Sequence, residues 1–158
     1  MKTALIIMTT VFVLILTYDI SIGIVGHYQY EKQFGAYWSL SEKASTIPQK
    51  SEYLDRYINA LEQSGMAGKY NAIWLITPDN SFDYNMLALK SLQLRLHDIK
   101  NMDVSSFQYQ TAIQQITAQE QGEAMHMNEV FAGIWWMDNH FLLWDWVLII
   151  NLIALVVL

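Results

Sequence analysis

Residues 4–26 read ALIIMTTVFVLILTYDISIGIVG and residues 141–158 read FLLWDWVLIINLIALVVL. These two blocks decide the fold, because each is an apolar run of membrane-crossing length at one end of the chain. A helix rises about 1.5 Å per residue, so a hydrocarbon core of roughly 30 Å requires about 20 apolar residues. The first block meets that length. The second meets it with help from the apolar residues upstream, Val130 to Met137. Trp135, Trp136, Trp144 and Trp146 cluster where the second block would meet the outer headgroups, as an aromatic belt does. The competing reading of the first block is a cleaved signal peptide, with Ser21 and Gly23 as small residues near a cleavage point. The stretch outlasts an ordinary signal core, so an uncleaved anchor is expected.

Orientation follows from the positive-inside rule. Lys2 is the base flanking the first span, and the loop between the spans is too long for its charges to vote. The expected organisation is a short cytoplasmic N-terminus (1–3), a transmembrane helix (4–26), an extracytoplasmic domain (27–140) and a second transmembrane helix (141–158). Both termini then lie in the cytoplasm and the protein sits in the plasma (inner) membrane.

Composition narrows the functional classes. The 158 residues, enough for about one domain, are 53% hydrophobic, 15% charged and without cysteine. That excludes a disulfide scaffold, a cysteine nucleophile and a thiolate metal site. With 9 Lys+Arg against 15 Asp+Glu, a formal charge of −6 and no basic run, no nucleic-acid surface is expected. No Walker loop, Rossmann fingerprint, Gly-x-Ser-x-Gly or His-Glu-x-x-His occurs, so neither an enzyme nor a cofactor is expected.

The middle of the chain predicts an all-α fold, an antiparallel up-down-up-down four-helix bundle between the two spans. His27, Tyr30, Phe34, Tyr37, Ser41 and Ala44 recur at three- and four-residue steps and make one stripe continuing from the first span. Pro48 opens a second helix, in which Leu54, Tyr57, Ile58 and Leu61 share a face, Glu52 sits four before Arg56, and Gly65 marks the end. Residues 66–81 are the least periodic and read as a packed connection around Trp74. Asn80 with Asp83 is expected to start a third helix carrying the seam Leu89, Leu92, Leu96, Ile99. Ser105 with Gln108 is the expected capping box of a fourth, running from Ser106 through Trp136. Four helices joined by short turns pack antiparallel with least strain.

Two groups of residues break these local rules. Asp19 and Asp145 lie inside spans that hold no Lys or Arg, at similar depth by the helical rise. An ionised carboxylate there costs a few kcal/mol or more, about 3 on insertion scales, so an intramembrane acid is a candidate site, here for a base on another subunit. The plainer reading is that both reach headgroup water. On the fourth helix the apolar line Tyr109, Ile113, Ile116, Glu120, Glu123, Met127, Val130, Ile134 puts two carboxylates, Glu120 and Glu123, in the bundle seam. Glu123 and His126 also form Glu-x-x-His, the pair by which di-iron bundles present one oxygen and one nitrogen to a metal, and His27 with Glu31 would contribute from a neighbouring face. Those bundles need two such motifs and this chain has one. The plainer reading is a slight helix rotation after Gly122 that lets both carboxylates reach solvent or a hydrogen-bond partner.

Three functions compete. The leading expectation is a non-enzymatic accessory or assembly subunit that docks on other membrane proteins or self-associates. The alternative is a sensory, ligand-binding input module of a receptor, whose output domain would follow the second span, whereas this sequence ends at Leu158. The third is a metal-binding helical bundle.

Overall fold

The computed structural model describes residues 2–72, 74–119 and 125–157, and its regular structure is helical. In chain order there are α1 (Lys2–Tyr30), a π-helical turn (Glu31–Gly35), α2 (Ala36–Lys43), α3 (Ile47–Glu62), a 3-10 turn (Pro78–Asn80), α4 (Phe82–Lys100), α5 (Phe107–Gln119) and α6 (Met125–Val157). They form two compact units, Met1–Gln29 with Trp136–Leu158, and Tyr30–Trp135.

The first unit holds α1, which continues as helix through to Lys43. Among the described residues, Ile6–Lys43 is the helix long and apolar enough to cross a membrane, with a mean hydropathy of 2.0 over its most apolar stretch. Its large side chains are turned outward: Ile6, Leu14, Ile20 and Ile24 are all more than half exposed. Three hydroxyl groups within it are satisfied locally. Thr10 donates to the Ile6 carbonyl at 2.9 Å, Thr17 to Val13 at 2.8 Å and Ser21 to Thr17 at 2.8 Å, which removes the cost of carrying a hydroxyl into an apolar medium. Gly26 is buried, and a Cβ there would fall inside the Trp136 indole.

The second unit carries the core. Thr46 caps α3, accepting from the Gln49 N–H, with Pro48 in the first turn where its missing N–H costs nothing. Leu54, Tyr57, Ile58 and Leu61 then lie on one buried face, as their spacing predicts, and the Arg56–Glu52 pair closes at 2.7 Å. The chain turns at Gly65 and Gly68 through φ of 75° and 76°, where a Cβ would be strained. Leu89, Leu92, Leu96 and Ile99 of α4 are all buried. As α3 advances from Asp55 to Glu62, its polar partners on α4 step back from Gln93 and His97 to Lys90, so the two helices run antiparallel. Consecutive helices pack on one another, α2 on α3, α3 on α4 and α4 on α5.

Four sequence expectations are corrected. Trp38, not Tyr37, takes the core position after Phe34, because the intervening π-turn winds more residues per turn and delays the seam. Ser81 rather than Asn80 caps α4, accepting from the Tyr84 N–H at 3.2 Å. Ser106 rather than Ser105 caps α5, accepting from Tyr109, while Ser105 is held by Asp103. Trp135 is not part of an outward belt; it is buried edge-on against Tyr30, with ring centroids 5.7 Å apart.

Candidate functional site

The most organised polar group in the second unit joins three elements on one atom. Tyr57 of α3 donates its hydroxyl to Asn128 Oδ1 at 2.8 Å, and Tyr30, at the end of α1, donates to the same oxygen at 3.1 Å. A carbonyl oxygen has two lone pairs, so Asn128 accepts both bonds. The rings around them interlock: Trp38 on Tyr57, Tyr57 edge-on to Phe131, Phe131 edge-on to Phe82, Tyr30 beside Phe34 and Trp135. Burial pushes the Tyr57 phenol well above its usual range, and the Tyr30 hydroxyl and Glu31 carboxylate push it the same way. Burial raises Tyr30 as well, hydrogen bonding to Tyr57 draws it part of the way back, and Glu31 adds to the rise. Both phenols therefore stay protonated as donors. The chemistry suits a clasp that fixes helix register, rather than proton transfer or nucleophilic attack.

The π-turn is built beside this clasp. Glu31 is half-buried and its carboxylate folds over Gly35, where any Cβ would collide with it. Glycine at 35 is thus what lets the turn close under its own first side chain. π-turns are found disproportionately at functional positions, and this one directly follows a clasp residue.

Of the residues singled out from sequence, Asp19 and His27 stand on α1, Glu31 on the π-turn, and His126 and Asp145 on α6. Asp19 is half-buried on α1 and engaged by a neighbouring group. Asp145 lies on α6, its side chain outside the described part of the structure, and Glu120 and Glu123 lie outside the described residues. His126 is exposed at the start of α6, close enough to Asp79 to help hold that carboxyl low, although hydrogen bonds from Thr77 and the Asp79 backbone do more. His27 is exposed in the last turn of α1. Among the described residues no three His, Asp or Glu side chains gather as a metal ion requires. Asn128 escaped the sequence reading because a lone asparagine beside an apolar seam carries no periodic signal. Its only hint was position, one residue past Met127 of the seam.

Further surfaces are open among the described residues. On α4, Tyr84, Leu87 and Leu94 form an outer apolar stripe, with Leu87 70% and Leu94 65% exposed. Along α5, a groove of about 250 Å³ lies against Ser45, Thr46, Lys50, Tyr109 and Ile113, and another of about 200 Å³ against Arg95, Asp98, Ala112 and Gln115. Both are smaller than the roughly 300–1,000 Å³ usual for a small-molecule site. No protein-family model matches this chain, and no curated protein and no solved structure matches it either.

Proposed function

We propose that this chain is a non-enzymatic integral membrane protein that serves as an accessory or assembly subunit, docking on other membrane proteins. In this reading residues 4–26 and 141–158 are transmembrane helices and residues 27–140 form an extracytoplasmic, up-down-up-down four-helix bundle. Both termini lie in the cytoplasm, in the plasma (inner) membrane. Asp19 and Asp145 remain candidate intramembrane acids, because a carboxylate at that depth needs a counter-group whichever chain supplies it.

The observation that carries the docking role is α4. Its inner seam is fully used in the core, yet it holds a second apolar stripe, Tyr84, Leu87 and Leu94, facing outward at helical spacing. Large exposed apolar side chains aligned along one helix are what a protein interface is made of. The sensory alternative has the α5 grooves in its favour, and their small volume ranks it second. The metal reading rests on Glu123 and His126 and is answered by metal analysis of the purified protein.

The experiment is recovery of the tagged full chain from its native membrane in gentle detergent, followed by size exclusion and mass spectrometry. Defined membrane partners that are lost when Leu87→Ser and Leu94→Ser are combined, with helicity retained, support the assembly role. Recovery alone as a homodimer overturns it in favour of a sensory module.

A further inference from the structure

The loop between α3 and α4 holds an apolar run that the domain leaves uncovered. From Tyr70 to Pro78 the sequence YNAIWLITP carries no charge. Trp74 is 90% and Leu75 82% exposed, and Ile76 is exposed beside them. The loop is nevertheless fastened. The Asn71 N–H donates to the Asn80 carbonyl at 2.8 Å and the Phe82 N–H to the Lys69 carbonyl at 2.9 Å, closing its root. Higher up, the Thr77 N–H donates to Asn80 Oδ1 and Asn80 Nδ2 to the Leu75 carbonyl at 2.6 Å. Asn80 therefore braces the descending limb from inside, and the three apolar side chains are presented by a frame that holds them away from the core.

The root of this loop lies at the end of the domain from which α6 leaves. A Cβ on Gly133 would meet the Asn71 amide, and the Phe82 ring lies 5.3 Å from that of Phe131. Gly133 is two residues from the end of the unit at Trp135, and Trp135 packs on Tyr30, the other end of the unit. Loop root, chain entry and chain exit thus share one end of the domain. The tethers beyond are short: four residues separate Tyr30 from Gly26, and six separate Trp135 from Phe141. At about 1.5 Å per residue these are roughly 6 and 9 Å of helix. The headgroup layer adds about 5–8 Å to each side of the hydrocarbon core, so with residues 4–26 and 141–158 read as spans the chain would enter and leave this end of the domain within the headgroup layer.

We propose that the Trp74-Leu75-Ile76 tip is a third membrane contact, seated in the interfacial layer of the lipid bilayer alongside the chain's two spans. The inference rests on reading residues 4–26 and 141–158 as those spans. Tryptophan and tyrosine favour this layer, where an amphipathic ring meets both headgroup and acyl chain, and an uncharged aliphatic pair beside the indole suits its inner edge.

The absence of cysteine makes the test direct. Leu75→Cys, Phe107→Cys and Val13→Cys variants of the full chain are each spin-labelled and reconstituted alone into phosphatidylcholine–phosphatidylglycerol vesicles. Collision rates with molecular oxygen and with a water-soluble nickel chelate are then measured. The proposal expects the label at 75 to be several-fold less accessible to nickel than the label at 107, with oxygen access at least as high, and the label at 13 to be deeper still. Nickel access at 75 equal to that at 107, with 13 in lipid, overturns the loop contact and leaves the spans standing. Low access to both reagents at 75 overturns it in favour of a covering protein surface, a second copy in this preparation. Nickel access at 13 equal to that at 107 removes the spans themselves, and the loop contact with them.

Discussion

Leu89, Leu92, Leu96 and Ile99 of α4 and the Trp74-Leu75-Ile76 run of the preceding loop are alike in composition and opposite in fate. The first four are buried and the last three are exposed. The difference lies in periodicity and in what faces each run. The α4 residues recur at three- and four-residue steps, so a helix places them on one side, and α3, whose own Leu54, Ile58 and Leu61 are buried, packs on α4. The loop residues are consecutive, which no helix or strand sorts to one face, and their backbone is occupied by the Asn80 brace instead. Apolar composition predicts what a residue prefers, whereas register and a partner decide whether the fold satisfies it.

The sharpest way to break this contrast is to truncate both regions. Leu96→Ala should cost about 2–5 kcal/mol, since a fully buried leucine leaves a cavity that the antiparallel α3–α4 packing cannot collapse. Leu75→Ala should change stability by no more than about 0.5 kcal/mol in detergent, because its side chain is 82% exposed. Denaturant titration of the two variants, followed by helix signal, checks both. Equal losses would mean that the loop packs inside the domain after all.

Next in size is the clasp. Asn128→Ala takes the side-chain acceptor from both buried phenols: Tyr57 loses its partner, at about 1–3 kcal/mol, while Tyr30 keeps the backbone carbonyl of residue 128 at 3.4 Å. Tyr57→Phe removes one donor while Asn128 keeps Tyr30, so its loss should be nearer about 1 kcal/mol. The clasp also sets an alkaline limit. Both phenols are raised above the ordinary tyrosine value of 10.0 in the folded state, so their contribution is complete below about pH 10 and is lost as pH rises beyond it, when unfolded tyrosines ionise and the buried pair resists. Stability measured between pH 8 and pH 11 should therefore fall less steeply for Tyr57→Phe than for the unaltered protein. A steeper fall would show that the clasp prefers the phenolate.

Smaller again is Gly133→Ala. The new methyl displaces the Asn71 amide at the loop root, and overpacking of this kind costs about 1 kcal/mol or somewhat more. Proteolysis should then sharpen the comparison, with faster cleavage between Tyr70 and Pro78 and no change within α4.

How much of this was legible in the sequence depends on whether a residue's role was repeated. The faces of α3 and α4 were legible because four residues in each say the same thing at helical spacing. The caps were misplaced by one residue because Asn80-Ser81 and Ser105-Ser106 each offer two adjacent side-chain oxygens, and the choice is made by tertiary contacts: Asn80 is drawn to the loop and Ser105 to Asp103. The π-turn was hidden because a delayed seam and an ordinary one differ only in choosing Trp38 over Tyr37. The clasp was hidden because Asn128, Tyr30 and Tyr57 are distant in sequence, and helical spacing places the two tyrosines on their faces without saying that their hydroxyls meet on one asparagine. Of the residues proposed as sites, Asp19 and His27 stand on α1, Glu31 on the π-turn and His126 on α6, and motif spacing fixes neighbours along one helix but not what the next helix brings.

The smallest expected effect separates the polar rim from the buried seam on α3 itself. Glu52 and Arg56 meet at 2.7 Å four residues apart, but their side chains are 59% and 56% exposed, so water and salt screen the attraction. Arg56→Gln should cost about 0.3–0.5 kcal/mol at low ionic strength and less as salt is added. The guanidinium also lies 6.0 Å from the centre of the Tyr53 ring, a contact that salt screens less and that Glu52→Gln leaves intact. Comparing the two variants across a salt series therefore isolates the ring contact. A residual loss in Arg56→Gln at high salt, absent from Glu52→Gln, assigns it to the ring, whereas equal and vanishing losses assign the whole effect to the ion pair.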